Sequence, residues 1–81
     1  MCIAHFGKIK PMNYGKFFKQ ARTDSKLTQK YVAEQLKIHQ SNVSDWENDV
    51  ARPEYEKLVE LAKLYQVSIY DLLGVPEDER F

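Results

Sequence analysis

The chain has 81 residues, 43% of them hydrophobic, and no formal net charge at neutral pH. A chain of this length forms one small domain with a thin core, which leaves no room for a separate catalytic domain. Its one cysteine, Cys2, excludes an internal disulfide, and no apolar run is long enough for a signal peptide or a membrane span. We therefore expect a soluble, cytoplasmic protein that does not engage a membrane.

The charges are sorted along the chain although they cancel overall. Residues 1–40 carry eight basic and two acidic side chains, whereas residues 41–81 carry four basic and ten acidic ones. A folded domain with this division can turn a basic face towards phosphate and an acidic face away from it. An ordinary solvated surface with no electrostatic purpose is the alternative.

Apolar residues recur at helical rather than strand spacing, and residues 16–52 contain no glycine or proline. This spacing predicts five short helices and an all-α fold. Their apolar stripes, in chain order, are Tyr14, Phe18 and Ala21; Val32, Ala33 and Leu36; Val43 and Trp46; Leu58, Leu61, Ala62 and Tyr65; and Ile69, Leu72 and Leu73.

Capping residues mark several helix boundaries. Thr28 precedes the second helix and is suited to accept from its free amides, and Ser68 with Asp71 forms a Ser-x-x-Asp box for the fifth. Pro53 suits the first turn of the fourth helix, which makes Arg52 the last loop residue before it.

The helices divide the chain into three parts. We expect a flexible N-terminal extension over residues 1–12, a helical domain over residues 13–74 and an acidic C-terminal tail over residues 75–81. Glu77, Asp78 and Glu79 indicate a disordered or partner-binding segment within that tail.

Residues 28–47 have the pattern of two short helices that cross steeply at a tight turn. Ala33 is small enough for the two backbones to approach, and Lys37 occupies the turn. Ile38, Val43 and Trp46 are placed to fill the wedge between the helices, so the opposite face of the second helix is free to enter a DNA groove about 12 Å wide.

From Gly15 to Leu73 the sequence resembles the phage-repressor and Cro-like, or xenobiotic-response-element, helix-turn-helix regulators. The matching positions are Gly15, Arg22, Leu27-Thr28-Gln29, Ala33, Leu36, Ile38, Val43-Ser44, Trp46-Glu47, Pro53, Leu58, Leu61-Ala62, Val67-Ser68 and Leu72-Leu73. The resemblance implies a compact five-helix lambda-repressor-like fold and sequence-specific binding of double-stranded DNA. The expected protein is a transcriptional regulator, a repressor, that acts as a homodimer on an inverted repeat with helix 40–48 in the major groove.

The sequence departs from the family pattern at Lys37 and Asp49, where the family usually has glycine. A left-handed backbone at Lys37 costs about 1 kcal/mol. Aspartate adopts that conformation more readily, but Asp49 puts a negative charge near the expected path of a phosphate.

Two sets of residues are candidate DNA contacts. If Val43, Trp46 and Glu47 point inward, the outward face of the third helix carries four base-reading candidates: Gln40, Ser41, Ser44 and Asp45. Glutamine can bond adenine bidentately and aspartate can accept from cytosine, while repulsion of the wrong DNA is the alternative role of Asp45. The candidates for phosphate contact, at helix starts and in the following loop, are Thr28, Gln29, Lys30, Asn42, Asn48 and Arg52.

The resemblance also assigns two side-chain pairs. Gln29 matches the family's phosphate-binding glutamine, and it is expected to hydrogen-bond Gln40 and so fix the side chain that reads a base. Arg22 and Glu47 match a structural pair between the first and third helices. If this pair is partly buried, the loss of one partner costs several kcal/mol.

Other functions have weaker support in the sequence. Cys2 and His5 supply only half of the ligands that a zinc site needs. His39 is better placed as a helix cap or a phosphate neighbour than as a catalytic base. No catalytic constellation or cofactor site emerges, so we expect no enzyme. The rival function is a protein-interaction module of the same fold, such as an antitoxin or adaptor. A DNA-binding dimer is expected to form through helix five and the tail.

Overall fold

A computed structural model describes residues 13–81, so the expectations for residues 1–12, and for Cys2 and His5 in particular, lie outside the described range. Within that range the chain is all helical and contains no strand, which confirms the predicted fold class. The elements are α1 (Gly15–Asp24), α2 (Gln29–Leu36), α3 (Gln40–Glu47), α4 (Tyr55–Tyr65), α5 (Ile69–Leu73) and a short 3-10 helix (Glu77–Glu79).

The core lies where the five helices meet, and each helix contributes to it. Helix α2 packs on α3, α1 packs on α3 and α5, and α4 packs on α2 and α5. The buried apolar residues are Phe18, Val32, Ala33, Leu36, Val43, Trp46, Leu61, Ala62, Tyr65 and Leu72. Burial of a large apolar side chain stabilises a fold by about 1.5–3 kcal/mol.

Two predicted caps are present at helix starts. The Thr28 hydroxyl accepts from the Tyr31 amide at 3.0 Å, and the Ser68 hydroxyl accepts from the Asp71 amide at 3.0 Å. Each bond satisfies an amide that the first helical turn leaves without a partner. His39 is the N-cap residue of α3, but its side chain makes no capping bond.

The predicted start of α4 was wrong. Helix α4 begins at Tyr55, and the extended residue Glu54 is its N-cap, so Pro53 lies outside the first turn. Proline restricts the residue before it rather than the residue after it, so Pro53 fixes Arg52 in the loop without starting the helix.

The backbone at Lys37 is left-handed, with φ 59°, as expected at a position where the family usually has glycine. Asp49 is left-handed as well, with φ 62°. Lys37 ends α2, and Ile38 donates to the carbonyl of Ala33 as the chain leaves the helix. Lys26 and Gln66 are also left-handed, at φ 60° and 58°, and neither position was predicted from the sequence.

Residues 75–81 fold back on α5 rather than extending from it. Arg80 donates to the carbonyl oxygen of Val75 and to the Asp71 carboxylate at 2.7 Å, and its guanidinium lies over the Tyr70 ring. The bond with Arg80 holds the pKa of Asp71 below its ordinary value, and bonds with Ser68 act in the same direction. The expected acidic segment therefore forms a short helical turn.

Candidate nucleic-acid interface

In the α2–turn–α3 unit, the backbones of α2 and α3 approach each other closely. Ala33 is almost fully buried, and Val43 and Trp46 pack behind it in the core, with Ile38 partly buried at the turn. Because these side chains fill the space between the two helices, the far side of α3 is left without core contacts.

That far side carries the four candidates for base reading. Gln40 and Ser41 are exposed and Ser44 and Asp45 are half-buried, whereas Val43, Trp46 and Glu47 are buried. The structure thus brings the four together on one face, with the first turn of α3 the most accessible. The backbone carbonyl of Asp45 accepts from Val50 and Ala51 as the chain turns after α3.

A buried ion pair fastens this helix to the rest of the domain. Arg22 Nε donates to Glu47 Oε2 at 2.6 Å and Nη2 donates to Oε1 at 3.1 Å, while Nη1 donates to the carbonyl of Leu27 at 2.8 Å. The side chains of Arg22 and Glu47 are only 12% and 3% exposed. The hydrogen bond to Glu47 raises the pKa of the Arg22 guanidinium, although burial acts against it. The pair is bidentate, which fixes orientation as well as distance.

The ion pair extends to the candidate interface through Gln29. Its amide nitrogen donates to Glu47 Oε1 at 3.0 Å, and its amide oxygen accepts from Gln40 Nε2 at 3.5 Å. The second distance is at the long limit for a hydrogen bond. The family resemblance pointed to Gln29 with Gln40 and to Arg22 with Glu47, but sequence reasoning missed the link between Gln29 and Glu47. A chain of four side chains therefore runs from the core to the exposed start of α3.

The phosphate candidates of α2 cluster at its N-terminus. Thr28 caps the helix and its hydroxyl hydrogen is not used by that bond, Gln29 is half-buried and Lys30 is exposed. The first turns of α2 and α3 contain no acidic residue, unlike those of α4 and α5. The positive ends of both helix dipoles are therefore open to an anion.

Comparison with known sequences agrees with this geometry. Residues 18–72 match a family described as helix-turn-helix. The chain belongs to that family. This confirms the resemblance to the Cro-like helix-turn-helix regulators, a family of non-enzymatic DNA-binding proteins.

Three relatives of this helix-turn-helix chain are regulators by name. It is 42% identical over 66 residues to the HTH-type transcriptional regulator ImmR of Bacillus subtilis, covering 82% of this chain and 52% of the relative. It is 37% identical to the uncharacterized HTH-type transcriptional regulator YobD of Bacillus subtilis, covering 80% of this chain and 58% of the relative. It is 35% identical to the HTH-type transcriptional activator BcrR of Enterococcus faecalis, covering 82% of this chain and 32% of the relative. The chain spans about half the length of the first two relatives and about a third of the length of the third.

The helix-turn-helix loop after α3 holds the remaining phosphate candidates. Asn48 is exposed, but its amide nitrogen donates to the carbonyl and hydroxyl oxygens of Ser44, at 2.9 and 3.2 Å. Arg52 is exposed, with its guanidinium 5.6 Å from the centre of the Tyr14 ring. Asn42 is half-buried in the first turn of α3. Arg52 can therefore reach a phosphate by leaving the Tyr14 ring, whereas Asn48 must first release Ser44.

Asp49 has a role that sequence reasoning missed. Its carboxylate accepts from the Gly15 amide at 2.9 Å, so it caps α1 from a distance of 34 residues. A Cβ at Gly15 would overlap the backbone carbonyl of Glu47, which shows how closely the start of α1 approaches the end of α3. The negative charge expected to hinder a phosphate is thus bound to a backbone amide.

Among residues 13–81 there is no group of three or more potential metal ligands. No helix in this range is both long and apolar enough to cross a bilayer.

Proposed function

We propose that this helix-turn-helix domain binds double-stranded DNA in a sequence-specific manner and acts as a transcriptional repressor. The supporting observation is the exposed face of α3, held in place by the buried contacts of Glu47 with Arg22 and Gln29. In this proposal helix 40–48 enters the major groove, and two copies of the chain read an inverted repeat.

Each exposed side chain has a chemical role in this proposal. Gln40 donates to and accepts from one adenine, while Gln29 fixes its rotamer. Ser41 and Ser44 bond permissively to base edges, and Asp45 accepts from the amino group of cytosine. Because Ser44 and Asp45 are half-buried, the bases that meet the first turn of α3 contribute most to discrimination.

Phosphate contacts set the register of α3 on the duplex. The amides at the start of α2, with Thr28, Gln29 and Lys30, bind one phosphate region, and Asn42 at the start of α3 contributes beside it. Arg52 and Asn48 bind the backbone after α3. Contacts of this kind supply salt-dependent affinity but little sequence preference.

Repression requires less of a DNA-binding domain than activation does. Occupancy of a promoter is enough to block transcription, whereas activation needs a further contact with the transcription machinery. A reporter gene with the selected site placed across its promoter should lose expression when the chain is produced. An increase in expression from the same promoter would contradict repression and leave DNA binding intact.

The first experiment is selection of duplexes from a random library, followed by affinity measurements at several salt concentrations. The native chain should enrich an inverted repeat. The double variant Gln40→Ala with Ser41→Ala should lose about 2–6 kcal/mol of sequence preference, because two base contacts worth about 1–3 kcal/mol each are removed. Its salt-dependent background binding should persist, because the phosphate contacts remain.

The matched control is Glu34→Ala. Glu34 is exposed on the same two-helix unit, but it is not a candidate for DNA contact. This variant should retain the sequence preference of the native chain. If the native chain enriches no sequence and its binding disappears at moderate salt, the domain is a protein-interaction module, such as an antitoxin or adaptor.

A further inference from the structure

Asp49 has an unfavourable backbone conformation for a residue with a side chain. It lies two residues after the end of α3 with φ 62°, in the left-handed region that glycine enters most easily. Aspartate tolerates this region better than most residues do, but glycine would tolerate it better still. The residue is also exposed, near the expected path of a phosphate that its charge would repel. An aspartate at this position therefore needs an explanation in what its side chain contacts.

The Asp49 side chain joins the end of α3 to the start of α1. Its Oδ1 accepts from the Gly15 amide at 2.9 Å. The Tyr14 side chain, at the N-cap position of α1, makes no capping bond, and the first turn of this helix contains no acidic residue. A carboxylate suits the start of a helix, where free amides and the helix dipole both favour a negative charge. Asp49 thus supplies a cap that Tyr14 and the first turn of α1 do not supply.

The loop after α3, residues 48–52, is held on two sides. On the α3 side, two amides of the loop donate back to the Asp45 carbonyl, at 2.8 and 3.3 Å. On the α1 side, the bond from Asp49 is accompanied by the Arg52 guanidinium, 5.6 Å from the centre of the Tyr14 ring. A cation–π contact at an exposed site is weak, so a phosphate can displace the ring. When Arg52 leaves the ring, the Asp49 bond still ties the loop to α1.

Arg52 is the cation of this loop, and its position depends on the loop backbone. None of the ion pairs among residues 13–81 includes Arg52, and the residue is exposed. A guanidinium binds phosphate oxygens through two parallel hydrogen bonds, which requires a defined approach. If the loop were untied, it would have to be ordered each time DNA binds. The ordering of one long side chain at an interface lowers affinity by about two- to tenfold.

We propose that Asp49 is a positioning residue for DNA binding, an inference that rests on the proposed function. Its bond to Gly15 holds the loop after α3 in the conformation from which Arg52 contacts a phosphate. The close packing of Gly15 on the Glu47 carbonyl, which leaves no room for a Cβ, brings the amide within reach of the carboxylate. Asp49 itself does not touch DNA in this arrangement.

Two substitutions separate the bond made by Asp49 from its charge. Asp49→Asn removes the charge but retains an oxygen that can accept from the Gly15 amide, and asparagine also enters the left-handed region. Asp49→Gly removes both the charge and the acceptor and keeps that backbone conformation. The two variants have the same net charge, so a difference between them does not come from a change in the overall attraction to DNA. Circular dichroism at the assay temperature verifies that both are folded.

Affinity is measured at fixed salt concentration on a duplex that holds one selected half-site. Asp49→Asn should bind at least as tightly as the native chain, because the loop stays attached and a charge that repels phosphate is gone. Asp49→Gly should bind about two- to tenfold more weakly than Asp49→Asn. When each is combined with Arg52→Ala, the two variants should agree to within about twofold, because no guanidinium is left to position.

Arg52→Ala alone should weaken binding to all sequences and reduce the slope of log affinity against log salt concentration by about 1, as the loss of one phosphate contact does. Unchanged affinity in that variant would overturn the proposal. Binding by Asp49→Gly as tight as that by Asp49→Asn would also overturn it and leave Asp49 as a charge that repels phosphate. An equal loss in Asp49→Gly with and without Arg52 would contradict it as well and restrict the bond to the stability of α1. Absence of half-site binding by the native chain would instead refute the DNA-binding function.

Discussion

Replacement of Arg22 by alanine tests how far the fold and the DNA-binding face depend on one buried charge. The substitution leaves the Glu47 carboxylate, 3% exposed as a side chain, without two of its three hydrogen bonds, and it also frees the Leu27 carbonyl. Only the bond from Gln29 would remain. A buried charge that loses its partner destabilises a fold by about 3–5 kcal/mol.

That loss is large for a chain of 81 residues. At roughly 0.05–0.15 kcal/mol per residue, its total free energy of unfolding is about 4–12 kcal/mol. A loss of 1 kcal/mol lowers the melting temperature of a domain this size by about 4–8 °C. Arg22→Ala should therefore melt at least about 12 °C below the native chain in calorimetry or circular dichroism at neutral pH.

A double variant separates stability from orientation. In Arg22→Met with Glu47→Leu both charges are replaced by apolar side chains of similar size, an exchange that often costs a buried site little. Most of the lost stability should return. Sequence-specific DNA binding should not return, because Gln29 no longer has a carboxylate to donate to and cannot hold Gln40.

The refuting results are specific. A melting temperature within about 2 °C of the native value for Arg22→Ala would show that the pair does not stabilise the fold. Recovery of full sequence preference in the double variant would show that Glu47 does not act on the interface through Gln29.

Three further predictions concern single positions. Lys37→Gly should raise the free energy of unfolding by about 1 kcal/mol in urea titrations, because φ there is 59°, whereas a loss of stability would refute strain at this turn. Gly15→Ala should lower it by about 1–3 kcal/mol or more, because the added methyl group meets the carbonyl of Glu47, and a neutral effect would contradict that close approach. Burial raises the pKa of Tyr65 well above its ordinary value of 10, and the Glu47 carboxylate raises it further. As the pH rises, Tyr65 therefore loses its proton in the unfolded chain before it does so in the folded chain. The contribution of Tyr65 to the free energy of unfolding is thus fully present below pH 10 and falls above it. Tyr65→Phe should therefore shift the alkaline unfolding midpoint upward with little change at pH 7, and an unshifted midpoint would exclude this group.

The elements of the fold were predictable because their signals are local. Helical spacing of apolar residues located five helices, and the hydroxyls of Thr28 and Ser68 marked two of the starts. The left-handed turn at Lys37 was predictable because the family usually has glycine at this position, and the tight connection of α2 to α3 requires a left-handed residue. The start of α4 was not predictable, because a proline such as Pro53 is tolerated both in the first turn of a helix and just before it.

The contacts that need distant partners were harder to predict. Asp49 and Gly15 are 34 residues apart, and no local pattern distinguishes a capping aspartate from one that faces solvent. The position of Asp49 suggested a charge near phosphate, whereas the fold gives that charge to the start of α1. The bond from Gln29 to Glu47 was missed for the same reason, although each residue was singled out separately.

The linked side chains of Glu47, Gln29 and Gln40 divide the α3 face into two classes of position. Gln40 is tied through Gln29 to the carboxylate that stabilises the core, so a change there disturbs a contact shared with the scaffold. The Ser41 side chain is exposed and is not part of that linkage. If α3 reads bases as proposed, substitution at Ser41 changes the preferred operator at little cost in stability, whereas a change at Gln40 requires a matching change at Gln29.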